Sequence, residues 1–220
     1  VTAVFSGPDS ACALCPRLAG FRAENRAAHP DWHNGPVESF GPLSAKLLVI
    51  GLAPGLQGAN RTGRPFTGDY AGDLLYMTLA KYGYARGSYD KRRDDGLELV
   101  DARITNAVRC VPPQNKPVGS EVSNCLPFLA REIAAMPNLK AMLCLGLLSH
   151  NATLRGLGYR QSAFKFGHGE VHRLPGAADG EGPLLVDSYH CSRYNTNTGR
   201  LTEDMFDAVF DTLDGILARR

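Results

Sequence analysis

No stretch of this 220-residue chain holds the roughly 18 consecutive apolar residues of a transmembrane helix, so the sequence offers no helix to cross a membrane. The opening residues, Val1 to Phe5, have neither a basic run nor a long apolar segment. No secretory leader is expected there, and a cytoplasmic protein is. Charge of one sign is also scarce: 24 Lys and Arg against 22 Asp and Glu leave a net charge of +2. A polyanion would have to be held by a local basic cluster, because the chain has no strong global field. Repeats are absent, and the one low-complexity stretch is the glycine-rich segment Gly176–Gly182. A disulfide framework is not expected either, since the six cysteines are unevenly spaced in a chain with no secretory signal.

What remains is an ordinary globular composition, 44% apolar and 21% charged, long enough to bury a real core. Four short apolar runs read as buried strands: Lys46–Gly51, Arg103–Val108, Ala141–Gly146 and Pro183–Ser188. Helical spacing separates them. Leu74, Leu75, Thr78, Leu79 and Tyr82 recur at i, i+3/i+4, as do Leu126, Leu129, Ala130 and Ile133. The clearest helix follows Thr202, a suitable N-cap, with Phe206, Val209, Phe210, Leu213, Ile216 and Leu217 on one face and Arg219 and Arg220 at its negative end. Continuously apolar strands alternating with helices predict an α/β fold with a parallel sheet covered on both faces. We expect one domain over residues 1–220, with a cysteine-bearing segment 1–45 packed on it, and a monomer.

In such sheets ligands bind beyond the carboxyl ends of the strands. The chemically rich segments of this chain all follow strands. Gly51–Asp69 is a Gly/Pro-rich run carrying two arginines, a phenylalanine and a carboxylate. Arg109–Lys116 follows the second strand and His190–Asn197 the fourth, so three loops are expected to meet at one sheet edge. The basic run Lys91-Arg92-Arg93 is followed by Asp94-Asp95, which nearly cancels it, and reads as a solvated face.

The cysteines divide into Cys12 and Cys15, in C-x2-C spacing, Cys110 and Cys125, and the isolated Cys144 and Cys191. C-x2-C lets two thiolates face one centre from a single turn, and Cys110 and Cys125 would complete a set of four. Spacing alone leaves a [4Fe–4S] cluster, a structural zinc and four unrelated buried thiols open. Cys144, inside an apolar strand, belongs to the core, and Cys191 is ambiguous beside His190.

Taken together, Pro54-Gly55, Arg61-Thr62-Gly63-Arg64-Pro65-Phe66-Thr67-Gly68, Asn106-Ala107-Val108-Arg109-Cys110-Val111-Pro112-Pro113 and His190-Cys191-Ser192-Arg193-Tyr194-Asn195 resemble the uracil-DNA glycosylase superfamily. More narrowly they look like its type 5 (type b) iron–sulfur enzymes. The resemblance runs from Cys12 to about Arg200. Type 4 enzymes carry an acidic residue early in the first loop, where this chain has Leu52 and Ala53, a departure that fits type 5.

The resemblance implies a three-layer sandwich around a central four-stranded parallel sheet. It also implies a structural [4Fe–4S] cluster on Cys12, Cys15, Cys110 and Cys125. The implied activity is hydrolysis of the N-glycosidic bond of uracil flipped out of DNA, with hypoxanthine and xanthine as further substrates. Phe66 would be the platform for the base, Asn106 its edge reader, and main-chain groups of the first loop at Ala53 a further support. His190 would stabilise the departing base. Asp69 would orient water or stabilise the sugar cation, with Asp73 the alternative carboxylate and a helix cap the alternative role for Asp69. Arg61, Arg64, Asn115, Lys116, Ser192, Arg193 and Asn195 are expected to hold the DNA backbone, and Tyr194 either wedges at the vacated stack or packs inward. A non-catalytic zinc- or Fe–S-stabilised nucleic-acid-binding protein is the rival reading, and an iron–sulfur electron carrier a further one.

Overall fold

The computed structural model describes residues 5–175 and 182–218. Arg219, Arg220 and most of the segment Gly176–Gly182 lie outside the described residues. Seven strands occur among them: β1 (Leu47–Gly51), β2 (Ala85–Arg86), β3 (Glu98–Leu99), β4 (Ala102–Asn106), β5 (Ala141–Leu145), β6 (Val171–Arg173) and β7 (Leu184–Ser188). The helices are α1 (Pro16–Ala28), α2 (Ala59–Thr62), α3 (Tyr70–Lys81), α4 (Gly119–Ala134), α5 (Leu147–Gly156), α6 (Arg193–Asn197) and α7 (Glu203–Ala218).

The main sheet has the order β4-β1-β5-β7-β6. β1 lies between β4 and β5, parallel to both, and β7 is parallel to β5. These four are the strands expected from the apolar runs. The sheet is nevertheless five-stranded, which corrects the expectation of four: β6 pairs antiparallel with β7 at the edge. Its three residues, Val171-His172-Arg173, are too short and too polar to read as an apolar run. A short, partly charged edge strand also protects the sheet from further pairing.

Successive side chains of a strand point to opposite faces, and the core divides accordingly. Leu47, Val49, Leu143 and Val186 pack with Leu75 and Leu79 of α3 and Phe206 and Phe210 of α7. Leu48, Ile50, Met142, Cys144 and Leu185 pack on the other face with Leu126 and Leu129 of α4 and Ala152 and Leu154 of α5. The result is a helix–sheet–helix sandwich. α3 begins at Tyr70, four residues before Leu74, the first of the periodic apolar residues, because Asp69 caps it by accepting from the Gly72 N–H at 3.3 Å. Thr202 caps α7, its hydroxyl accepting from the Met205 N–H at 3.2 Å. Ahead of the sheet, α1 carries Leu18 into a small cluster with Val108, Cys110 and Cys125.

Candidate active site

The loops after β1, β4, β5 and β7 meet at the carboxyl edge of the sheet around a cavity of about 570 Å³. Its wall contains Ala53, Phe66, Asp69, Asn106, His190 and Arg193, and the sequence-selected Asn115, Ser192 and Asn195 also border it. The backbone is drawn unusually close to these side chains. A Cβ on Gly51, at the end of β1, would lie 2.4 Å from Asn106 Oδ1 and 2.6 Å from Phe66 Cζ, so only glycine lets both groups reach this edge. A Cβ on Gly58 would lie 2.3 Å from Asp69 Oδ2, so the first loop wraps the carboxylate with main chain.

Phe66 sits at φ +53°, a conformation that costs energy in a non-glycine residue. Neighbouring tyrosines hold it there. Tyr76 donates its hydroxyl to the Pro65 carbonyl at 2.6 Å, and Tyr89 donates to the Phe66 carbonyl at 3.2 Å. The Phe66 ring lies 6.1 Å from the His190 ring, inclined by 30°. Asn195 Nδ2 donates to the His190 carbonyl at 2.8 Å, and Ser192 caps α6, so the His190 loop is braced from its own sequence.

The electrostatics differ from group to group. Burial pushes His190 below the ordinary histidine value, so near neutral pH its ring is uncharged and offers one N–H. Burial raises Asp69, opposed by backbone N–H groups of Gly72 and Ala71. The Asn106 amide and the His190 ring have no hydrogen-bond partner among the described residues, and both border the cavity. Asp69 therefore caps a helix and faces the cavity at once. Asp73 does not border the cavity; its carboxylate pairs with Lys91 at 2.8 Å.

Arg64 requires correction as a DNA-holding residue. It is 3% exposed and forms a bidentate pair with Asp95, both contacts at 2.7 Å. Its guanidinium also lies over the rings of Phe40, Tyr76 and Tyr89 at 5.0, 5.5 and 5.8 Å. A buried arginine with its donors committed holds the Phe66 loop and cannot reach a phosphate. The same pair overturns the solvated reading of Asp95. Arg61 and Lys116 are exposed and lie outside the cavity wall. Arg193 is exposed, its guanidinium 5.2 Å from the Tyr70 ring centroid, and Tyr194 is 72% exposed, so it points outward. Sequence reasoning passed over Leu147 and Leu148, which border the cavity and are 50% and 62% exposed. Their position directly after a strand was the available signal.

Cys12, Cys15, Cys110 and Cys125 line a second, small cavity together with Arg22 and Asn124. Burial, then the neighbouring Cys125, Cys12 and Cys15, push the Cys110 thiol up to about 12, while Arg22 opposes them. Asn124 Nδ2 donates to Cys15 Sγ at 3.6 Å. Cys144 is buried within the sheet and Cys191 within the core beside α3, both away from this cavity.

One further polar cluster lies behind the active cavity. His150 Nδ1 and His172 Nε2 contact the two oxygens of Asp187 at 2.8 and 3.0 Å. His150 Nε2 lies 3.0 Å from the Phe164 carbonyl, which can only accept, so Nε2 carries a proton and Nδ1 is the nitrogen that faces Asp187. Burial lowers the His150 value, but the Asp187 hydrogen bond and charge outweigh it and leave a net rise. The cluster is a buried histidine–carboxylate pair with a second histidine attached.

Residues 38–214 match the family described as the uracil DNA glycosylase superfamily. The chain is 43% identical over 203 residues to the type-5 uracil-DNA glycosylase of Thermus thermophilus, covering 90% of each chain. It is 41% identical over 202 residues to the type-5 uracil-DNA glycosylase of Pyrobaculum aerophilum, covering 90% of this chain and 85% of that one. A type-4 uracil-DNA glycosylase of the same organism is 32% identical over 160 residues, 72% of each chain.

Proposed function

The chain belongs to the uracil-DNA glycosylase superfamily, and from that premise we propose that it is a type 5 monofunctional glycosylase that removes uracil from DNA by hydrolysing the N-glycosidic bond. The observation that carries this reading is the meeting of Phe66, Asn106, Asp69 and His190 around one cavity. A binding module without catalysis gives no reason for a buried carboxylate and a neutral imidazole to face the space beside an aromatic platform.

The roles follow from the chemistry. A flipped pyrimidine stacks on Phe66. The unpartnered Asn106 amide both donates and accepts, which suits the uracil edge. As the bond to the sugar breaks, negative charge gathers on the base, and the neutral His190 ring donates its N–H to that charge. This is the logic of an oxyanion hole: the donor is in place before the charge appears. The sugar becomes cationic at the same moment. Asp69, ionised and held by main chain, stabilises that cation and orients the attacking water. Backbone at Ala53 supports the base. Arg61, Asn115, Lys116, Ser192, Arg193 and Asn195 provide polar and basic groups for phosphates around the cavity mouth.

For the four cysteines we favour the [4Fe–4S] reading over zinc. They share one cavity, and Cys110 and Cys125 are buried among apolar neighbours. Among the described residues the set of three metal-type donors within 4.8 Å of one another is His150, His172 and Asp187, not any three of these thiols. A zinc tetrahedron with Zn–S bonds near ~2.3 Å would draw its sulfurs within that range, whereas a four-iron cluster holds them farther apart. When bound, the cluster ties the N-terminal segment to the loop after β4 and so serves structure. We read residues 1–220 as one domain with segment 1–45 packed on it, acting as a monomer on DNA in the cytoplasm.

The test is a single-turnover assay on duplexes bearing uracil, hypoxanthine or xanthine, with alkaline cleavage reporting abasic sites. Uracil release without direct strand scission is the expected result. Duplex binding with no base released would overturn catalysis. The hypoxanthine and xanthine duplexes set the range of bases accepted.

A further inference from the structure

Arg22 is an unusual neighbour for the thiols. It lies on α1, seven residues beyond Cys15, and its long side chain runs back along the helix to the cysteine cavity. The residue is 5% exposed. The two ends of its guanidinium are held by the loop that carries the first cysteines: Nη2 donates to the Cys12 carbonyl at 2.5 Å and Nη1 approaches the Ser10 carbonyl at 3.5 Å. The third donor nitrogen, Nε, is buried and has no hydrogen-bond partner among the described residues.

A buried charged N–H without an acceptor gives up its hydration for nothing in return, so such groups are rarely left alone. Arg22 is also the one charged residue among those lining the cavity. The missing acceptor and the missing counter-charge have the same chemical description: sulfur atoms carrying net negative charge. Four thiolates around an iron–sulfur centre supply both.

We propose that Arg22 donates its Nε–H to a sulfur of the [4Fe–4S] cluster and places its positive charge beside it, while its other nitrogens hold the Cys12 loop. The proposal rests on the four-cysteine reading above. Asn124, already donating to Cys15 Sγ, is the neutral counterpart on the other side. Hydrogen bonds to cluster sulfurs and nearby positive charge both favour the reduced, more negative state. Arg22 is therefore a positioning residue for the cluster that also sets its redox poise.

The experiment uses the whole protein, purified anaerobically. Iron and labile sulfide are measured first; a parent protein without them overturns the four-cysteine reading and this proposal with it. In parent protein grown with 15N-arginine, pulsed EPR of the one-electron-reduced cluster should detect an arginine nitrogen with an exchangeable proton. No coupled arginine nitrogen, in a cluster-containing protein, overturns the proposal alone. Two variants then separate charge from geometry. Arg22→Gln should shift the reduction equilibrium about tenfold toward the oxidised state, ~59 mV for one electron. Arg22→Lys, which keeps the charge and lacks Nε, should shift it less and abolish the arginine coupling. An unchanged potential in an iron-replete Arg22→Gln protein overturns the proposal. If both variants purify without iron, the labelled parent decides.

Discussion

Two polar clusters of this molecule each hold a buried histidine and an aspartate, with one aromatic ring between them. In the first, His190, Asp69 and Asn106 border the cavity, and the imidazole and the amide have no protein partner among the described residues. In the second, both ring nitrogens of His150 and both oxygens of Asp187 have protein partners: His150 bonds Asp187 and the Phe164 carbonyl, and His172 takes the other Asp187 oxygen. Phe166 stands between them, bordering the cavity and meeting the His150 ring edge-on at 5.7 Å. Burial acts on both histidines in the same direction; the carboxylate hydrogen-bonded to His150 reverses the outcome, whereas Asp69 makes no hydrogen bond to the His190 ring. A histidine, an aspartate and low exposure therefore do not define a functional site. Unspent hydrogen-bonding capacity facing a cavity does. The Arg64–Asp95 pair and Arg193 repeat the contrast among basic residues, one closed within the fold and one facing solvent.

Breaking the closed cluster should have the largest effect. His150→Leu removes one partner of a buried ion pair and leaves Asp187 under-compensated, which is expected to cost about 3–5 kcal/mol of stability. Denaturant unfolding checks this, and the excision rate of the protein that remains folded should stay near that of the parent. A large rate loss with unchanged stability would reverse the assignment of the two clusters.

Asp69→Asn is the matching break in the open cluster. It preserves size and capping and removes the charge. Single-turnover excision on a G:U duplex should fall about 10²-fold or more, with DNA affinity nearly unchanged, because the missing interaction belongs to the transition state. In the parent, the acidic limb of the rate profile should lie above the ordinary carboxylate range, since burial raises Asp69. Near-parent activity in Asp69→Asn would remove it from the chemistry.

The pH dependence of stability sharpens the contrast further. The folded value of His150 is raised above its unfolded value near ~6.5. Its contribution is fully present below that unfolded value and is lost as pH rises through the folded one. Calorimetry should show this decline in the parent and not in His150→Leu; equal profiles would mean that the pair is not ionised.

The smallest effect is that of Arg193, with Arg64 as its contrast. Arg193→Ala should lower the salt slope of DNA binding by about one, for the single phosphate it no longer neutralises, and change stability by less than about 0.5 kcal/mol. Arg64→Ala should do the opposite, costing about 3–5 kcal/mol of stability with the slope unchanged. A reduced slope in folded Arg64→Ala would return Arg64 to the DNA surface.

Much of this was legible beforehand, and the reasons are specific. Parallel strands buried on both faces read as unbroken apolar runs, so β1, β4, β5 and β7 announce themselves, while β6 does not because its three residues are polar and lie at an edge. The loops after β1, β4 and β7 stood out because glycine, asparagine, histidine and arginine directly after a strand have little structural reason to be there. Leu147 and Leu148 escaped notice because two leucines at the start of a helix look like core.

The sequence by itself determined the fold class, the edge of the sheet at which chemistry collects, and the residue types available for it, because periodicity and loop composition are local properties. Only the tertiary structure decided which of those residues are free to act. Arg64 and Arg61 stand three positions apart in the segment after β1, yet one is sealed against Asp95 and three rings while the other is exposed. Asp69 and Asp73 lie one helical turn apart, yet one faces the cavity and the other pairs with Lys91. Whether a charge is spent inside the protein depends on partners tens of residues away, and no local pattern specifies which partner the folded chain brings within hydrogen-bonding reach.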